Sequence, residues 1–357
     1  YRMGLQVAVI EHGAHSPAGC MTKHEFSQGW THEESLEKFI AVSDIVTLEN
    51  EFIDPAILRR IAERRLVFPA PDTVALVQDK FTQKQTMQAA GIPVPTFVSA
   101  SSVADIIAFA AEQTYPIVIK TRTLGYDGYG NVTARTDSDC HGAWNNFTSG
   151  DVPRELMAES FVRFVKELAV IVARNRRGEV VVYPCTQTIQ QQHICVTVLA
   201  PAPIEEELQK RAQQMAVACV EAINGVGVFG VEMFLTQEDE IVFNEIAPRP
   251  HNSGHYTIEG CYASQFENCV RAVCNLPLGS PELISGGAAM INILGERNGS
   301  GIPDSVVDTL NNPYASLHLY GKKDSRIGRK MGHVTALGTT VNEAFARARD
   351  AVEALIW

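Results

Sequence analysis

The sequence predicts an α/β fold whose opening third is a parallel, doubly wound sheet. Short apolar runs at 5–11, 44–49 and 65–70 read as strands and alternate with helical patterns at 32–40 and 54–65; such alternation implies parallel pairing. The chain has 357 residues, enough for two or three domains. With 45% hydrophobic and 20% charged residues it has the composition of a globular protein that buries a core.

Taken in order, the helix at 54–65 opens on an Asp54–Pro55 cap. Residues 73–91 read as one helix closed by Gly91, and the following Ile-Pro-Val-Pro marks a linker or boundary. A helix at 102–113, a strand at 115–122 and a glycine-rich turn at 124–131 come next, then strands around 131–135, 156–162 and 167–173. Residues 205–224 carry Leu208, Ala212, Met215, Ala216, Cys219 and Ile223 at helical spacing, a single buried stripe. From about 276 the chain mixes strands such as 288–295 with a closing helix at 342–356. No internal repeat or low-complexity tract interrupts it.

The net charge of −11 argues against nucleic-acid binding through the overall field. No apolar run reaches the roughly 18 residues that a membrane span needs, and the start has no signal-peptide pattern. The eight cysteines form no CxxC pair and read as buried free thiols of a reducing cytosol, so a cytoplasmic location is expected. The chain begins at Tyr1 and runs straight into a strand pattern, which reads as a fragment.

Three constellations carry chemistry. Residues 227–236 and 240–247 read as two strands joined by a polar turn. If the turn is the four residues 237–240, Thr236 pairs with Ile241 and Glu232 falls opposite Glu245 on one face. Two carboxylates so placed repel unless a cation sits between them, and magnesium with phosphate oxygens would resolve this. A solvated hairpin with two innocent acids is the competing reading. The turn at 124–131 places three glycines, Gly125, Gly128 and Gly130, where backbone amides can cradle phosphate, with Lys120 just before it. It is neither a Walker A nor a GxGxxG sequence, and a plain hairpin turn competes with the phosphate reading. Lys322, Lys323, Arg326, Arg329 and Lys330 gather five positive charges within nine residues, suited to a phosphate group or simply solvated. Downstream of Glu245, the stretch 244–257 packs Arg249, His251 and His255 around two prolines and must be a stiff ordered loop. His251 and His255 have no acid or cysteine spaced to join them as zinc ligands, and no nucleophilic triad stands out.

Together, DKFTQKQ (79–85), KTRTLGYDGYGN (120–131), GVFGVEMF (227–234), NEIAPRPHNSGH (244–255) and GRKMGHV (328–334) resemble the N5-carboxyaminoimidazole ribonucleotide synthetases, the PurK family of ATP-grasp enzymes. The resemblance runs over almost the whole chain. It implies an N-terminal Rossmann-like parallel sheet (1–83), a central ATP-grasp domain (84–275) and a small C-terminal domain (276–357). It also implies ATP-dependent carboxylation of 5-aminoimidazole ribonucleotide by bicarbonate through carboxyphosphate, with magnesium, in purine biosynthesis and in a homodimer. Lys80 and Lys120 would hold ATP phosphates under a loop of Gly125, Tyr126, Asp127, Gly128, Tyr129, Gly130 and Asn131. Glu159, Ser160, Phe161 and Val162 would form the adenine hinge, and Glu167 would take the ribose hydroxyls. Glu232 and Glu245 would bind magnesium beside Asn244. Tyr126, Asp127, Arg249, His251, Asn252 and Ser253 would face bicarbonate and the aminoimidazole, while Lys322, Arg329 and Lys330 would grip its phosphate. The chain departs from the family twice: a leading strand with its GGGQLG turn is missing before Tyr1, and Gln190 stands near the ATP site where histidine is usual, with His193 three residues on.

Overall fold

A computed structural model describes residues 2–125, 130–149 and 154–357. The opening strands do pair in parallel, Ala8–Ile10 with His24–Phe26 and Ile45–Val46 with Leu66–Val67. They form two separate two-stranded pieces, each shorter than the apolar runs suggested. The strand His24–Phe26 had no apolar run to announce it. Helices Glu33–Val42 and Pro55–Ala62 bury Leu36, Ile40 and Leu58 against these strands. The expected cap holds: the Asp54 carboxylate accepts from the Ala56 amide at 2.8 Å, ahead of Pro55 at the first helical position.

The single helix expected over 73–91 is two, Pro71–Gln78 and Lys80–Ala89. Asp79 breaks it in an extended conformation, its carboxylate capping the amides of Phe81 at 2.9 Å and Thr82 at 3.3 Å. The apolar period runs on through the break, but a capping aspartate competes with helical continuation and here wins.

A four-stranded antiparallel sheet follows, in the order Phe97–Ala100, Leu156–Ser160, Ile117–Thr121, Asn131–Ala134. Helices Val103–Gln113 and Asp137–Thr148 lie on it and share its core of Ile106, Phe109, Ile117 and Ile119. The helix Asp137–Thr148 went unanticipated, although the Thr136/Asp139 capping box that starts it is plain in the sequence.

The main sheet has nine strands and is antiparallel throughout. Its order is Ile241–Ala247, Gly227–Thr236, Phe164–Arg174, Thr186–Gln191, Ile194–Ala200, Gly287–Leu294, Lys330–Gly338, Ala315–Leu319, with Val180–Val182 also on Phe164–Arg174. Because Ile194–Ala200 pairs with Gly287–Leu294, one sheet continues from the middle of the chain into its last third. Helix Glu206–Ala222 buries the expected stripe, with Leu208, Ala212, Ala216 and Cys219 in the core and Met215 packed at its edge. The closing helix Val341–Glu353 lays Ala344, Ala348 and Ala351 on the far strands. Small residues there let it sit close to the sheet.

No helix among the described residues is long and apolar enough to cross a membrane. All eight cysteines are free, five of them buried, and burial pushes the thiols of Cys185, Cys219 and Cys261 up to about 12.

Candidate active site

A cleft of about 1410 Å³ opens between the N-terminal pieces, the four-stranded sheet and the main sheet. The hairpin of Gly227–Thr236 and Ile241–Ala247 forms one wall. Glu232 does lie opposite Glu245, but not through the register expected. Leu235, not Thr236, pairs with Ile241, and the Thr236 amide donates to the Glu240 carbonyl at 2.9 Å across a turn with Asp239 at φ 59°. A bulge at Asn244 then absorbs the extra residue and restores the two glutamates to opposition. The bulge turns both ends of Asn244 to use: its carbonyl accepts from Lys84 Nζ at 3.0 Å, and its side-chain oxygen accepts from Lys120 Nζ at 3.3 Å.

Burial and the facing Glu245 charge push the Glu232 carboxyl up. Burial acts on Glu245 in the same sense, but the Lys80 ammonium in contact with it outweighs burial and holds it down. The two carboxylates face each other across the hairpin with Lys80 on only one of them, a donor set that a divalent cation would fit.

Lys80 is set by its surroundings. Its amide donates to the Arg122 carbonyl at 2.8 Å, and Arg122 grips the Asp79 carboxylate that caps the helix. One turn on, Lys84 is buried and was missed, though its i, i+4 spacing from Lys80 on an otherwise polar helix is a readable signal. Glu159 is buried between two ammoniums, Lys120 at 2.5 Å and Lys84 at 3.1 Å. Burial raises its carboxyl, but the two lysines prevail and hold it below the usual range. Burial pushes Lys84 down to about 8 despite the same partner. The Glu159 carboxylate is thus committed to lysines, and Glu159, Ser160, Phe161 and Val162 all line the cleft.

Gln83, also unanticipated, is buried and reads the backbone of Ile246 in both directions, donating to its carbonyl and accepting from its amide at 3.1 Å each. It fastens the Lys80 helix to the Glu245 strand. Glu167 lines the cleft with Gln190, whose side chain hydrogen-bonds its carboxylate; burial nevertheless raises that carboxyl. The glutamine where histidine was expected therefore keeps a polar partner for Glu167. His193 also lines the cleft.

The stiff loop after Glu245 is built as its prolines suggested. His251 Nδ1 accepts from the Ser253 hydroxyl at 2.8 Å and its amide at 3.4 Å, so its Nε2 carries the proton and faces Glu232 Oε1 at 3.5 Å. Burial, helped by Arg249 and Lys330, pushes His251 down to about 3. Buried Gln265 clasps the His251 backbone, accepting from its amide at 2.9 Å and donating to its carbonyl at 2.7 Å. Gly230 leaves room for the ring: a Cβ there would come within 2.5 Å of His251 Cβ. Arg249 pairs through two nitrogens with Glu51 of the N-terminal region, a partner no local pattern revealed. Asn252 exchanges two hydrogen bonds, 3.0 and 2.7 Å, with buried Asn292.

The basic segment is only partly brought in. Lys322 and Lys330 line the cleft, whereas Arg329 does not and donates to the Asp324 carbonyl at 2.5 Å. Gly125 and Asn131 line the cleft. Gly130, at φ +91°, packs on Thr121, where a Cβ would meet its hydroxyl at 2.5 Å. Tyr126, Asp127, Gly128 and Tyr129 lie outside the described residues.

Two sheets clasping a cleft, Lys120 on one and opposed glutamates on the other, with Lys80 and Lys84 on a helix beside them, define an ATP-grasp ligase architecture. The ATP-grasp domain description matches residues 85–266, a ribonucleotide synthetase preATP-grasp domain matches 1–78, and a phosphoribosylaminoimidazole carboxylase C-terminal domain matches 288–347. The N5-carboxyaminoimidazole ribonucleotide synthase of Synechococcus elongatus is 37% identical over 336 residues, covering 94% of this chain and 84% of that protein. The phosphoribosylaminoimidazole carboxylase of Schizosaccharomyces pombe is 38% identical over 354 residues, covering 97% of this chain but 63% of that protein. The chain thus spans just under two thirds of the length of such fungal relatives. Among solved structures, the N5-carboxyaminoimidazole ribonucleotide synthetase of Thermotoga maritima superposes with TM-score 0.87 at 39% identity, covering 99% of this chain and 93% of that one. The Aspergillus clavatus N5-carboxyaminoimidazole synthase with ADP and 5-aminoimidazole ribonucleotide gives 0.89 at 34%, covering 99% and 92%. The chain belongs to the N5-carboxyaminoimidazole ribonucleotide synthase family.

Proposed function

We propose that this chain joins bicarbonate to the amine of 5-aminoimidazole ribonucleotide at the expense of ATP, giving N5-carboxyaminoimidazole ribonucleotide, ADP and phosphate. The observation that carries the reading is the Glu232/Glu245 pair, opposed across a bulged hairpin in a cleft that also holds Lys80, Lys120, Arg249 and His251.

Glu232 and Glu245, beside Asn244, are the residues that would hold magnesium, because the hairpin sets their carboxylates opposite each other at the cleft. Magnesium would supply neutralisation of phosphate charge. Lys80 and Lys120 would bind the phosphates under the 125–131 loop, with Glu159 to Val162 at the adenine and Glu167 at the ribose. A bicarbonate oxygen attacks the γ-phosphorus and the bond to ADP breaks, giving carboxyphosphate. The substrate amine then takes the carboxyl carbon, phosphate leaves, and the amine loses a proton. His251, neutral and with Nε2–H available, would donate to a bicarbonate oxygen, while Arg249, oriented by Glu51, would stabilise its negative charge. Tyr126, Asp127 and Asn252 would complete that side. Ser253, Lys322, Lys330 and Arg329 would take the substrate phosphate, Arg329 after leaving the Asp324 carbonyl. Catalysis of this kind rests on placement and charge stabilisation. The division at 1–83, 84–275 and 276–357, a homodimer and a cytoplasmic location belong to the same reading.

The test is ADP release from magnesium-ATP with each substrate omitted in turn. Release that needs both bicarbonate and 5-aminoimidazole ribonucleotide supports the reading. Release that needs bicarbonate and a different amine-bearing ribonucleotide would move the activity to another substrate, and none under any combination would overturn it.

A further inference from the structure

Behind the substrate loop, outside the cleft lining, Glu259, His318 and His333 bring one ligand atom each within 4.8 Å of one another. Glu259 comes from the short helix Thr257–Gly260, and the two histidines face each other across the strands Ala315–Leu319 and Lys330–Gly338. Their rings stack at 4.5 Å and 12°. His318 Nε2 hydrogen-bonds Glu259 Oε1 at 2.7 Å. Two polar atoms of the cluster, His333 Nε2 and Glu259 Oε2, are buried without a partner. His333 itself is only 2% exposed.

The hydrogen-bond network fixes what His333 offers. Asn292 Nδ2 donates to the Cys195 carbonyl at 2.9 Å, which identifies it as the nitrogen. Asn292 must then accept through Oδ1 from Asn252 Nδ2, and the second proton of that nitrogen points at His255 Nδ1, 3.4 Å away. His255 Nδ1 is therefore an acceptor, and the Tyr320 hydroxyl donates to it at 3.0 Å. Having spent its proton there, Tyr320 accepts from His333 Nδ1–H at 3.0 Å. His333 Nε2 is left as a bare lone pair. Two buried acceptors, an imidazole nitrogen and a carboxylate oxygen, thus lack a partner in a cluster whose own N–H donor, His318 Nε2, is spent on Glu259 Oε1. An acceptor pair of this kind costs free energy unless a cation meets it.

We propose that Glu259, His318 and His333 form a second metal site, separate from the Glu232/Glu245 pair, for a divalent transition ion of the zinc class. Two imidazoles and one carboxylate are the donor set such ions select over magnesium. Ligand atoms around tetrahedral zinc stand roughly 3.4 Å apart, so atoms up to 4.8 Å apart must close by about 1.4 Å, with the two stacked rings tilting out of parallel so that both lone pairs meet the ion. The Tyr320–His333 hydrogen bond is the outer contact that orients a ligating imidazole. His318, about a third exposed, leaves a route in and a position for water. The ion would tie the helix following the substrate loop to two strands of the C-terminal part, and so hold that loop to the sheet.

The test titrates metal-free protein, without magnesium, first with Co²⁺ and then with Zn²⁺ in competition. One equivalent of Co²⁺ is expected, with a visible spectrum of nitrogen and oxygen ligation, no thiolate charge-transfer band, and displacement by Zn²⁺. Glu245→Gln should leave this uptake intact. His318→Ala and Glu259→Gln should each weaken it about 100-fold, their folding checked by circular dichroism and by retained thermal cooperativity. Zn²⁺ should raise the melting temperature of the parent chain and not of His318→Ala. Absence of stoichiometric uptake, a thiolate band, loss of binding in Glu245→Gln, or binding unchanged in both cluster variants would each overturn the site.

Discussion

Glu245 is the residue on which the proposed chemistry turns. It holds Lys80 and faces Glu232. Glu245→Gln keeps the shape and removes the charge that would bind the cation. ADP release should fall by about 10²- to 10³-fold, while far-ultraviolet circular dichroism stays that of the parent. Retained turnover would remove this carboxylate from the metal site. Glu51 acts through another residue: it grips Arg249 from 198 residues earlier in the chain. Glu51→Gln loosens that fork, so ADP release under saturating ATP should drop by about tenfold, an effect of placement. An unchanged rate would mean that the loop holds Arg249 without it.

At the scale of elements, the site depends on how closely the hairpin, the Lys80 helix and the substrate loop approach one another. Gly230 sits where the loop crosses the strand Gly227–Thr236, and a Cβ there would collide with His251. Gly230→Ala should therefore displace the loop, cost about 1–3 kcal/mol in urea unfolding and lower turnover. Parent-like values in both would show that the loop yields without consequence. Gln83 clamps the Lys80 helix to Ile246 by two hydrogen bonds. Gln83→Leu leaves a buried amide and carbonyl unpaired, and stability should fall by about 1–3 kcal/mol per group, read as a shifted urea midpoint at constant slope.

For the whole molecule, the junction of the main sheet with the C-terminal strands is dense in buried imidazoles. Burial pushes His251 and His255 to about 3 and His333 to about 2, against 6.5 for the ordinary group. Below about pH 6.5 the unfolded chain takes up these protons and the folded chain does not, so stability falls as pH drops through that window towards 3. Each withheld proton costs about 1.4 kcal/mol per pH unit. The lowered carboxyls of Glu159 and Glu245 add loss of the same sign at the acid end. The raised carboxyl of Glu232 acts in the opposite sense. Thermal melts should therefore show a steepening fall in melting temperature below about pH 6.5, where three imidazoles outweigh one carboxyl; a flat profile from there to pH 4.5 would mean that the imidazoles become charged without unfolding.

Much was legible in the residues alone. The apolar stripe of Glu206–Ala222, the parallel pairing at the start and the stiffness of the 244–257 loop follow from local period and proline, which act over a few residues. What tertiary structure alone decided lies between elements distant in the chain: Glu51 on Arg249, Gln83 on Ile246, Asn252 on Asn292, and the bulge at Asn244 that corrects a one-residue error in the turn. A capping aspartate overrode the helical period at Asp79 because a local side-chain acceptor competes with the next helical bond. The Glu259, His318 and His333 cluster likewise has no sequence spacing to betray it, since strand pairing and a short helix bring its members together. Local pattern is written in neighbours; partnership across the fold is set by which faces the packed sheets bring into contact.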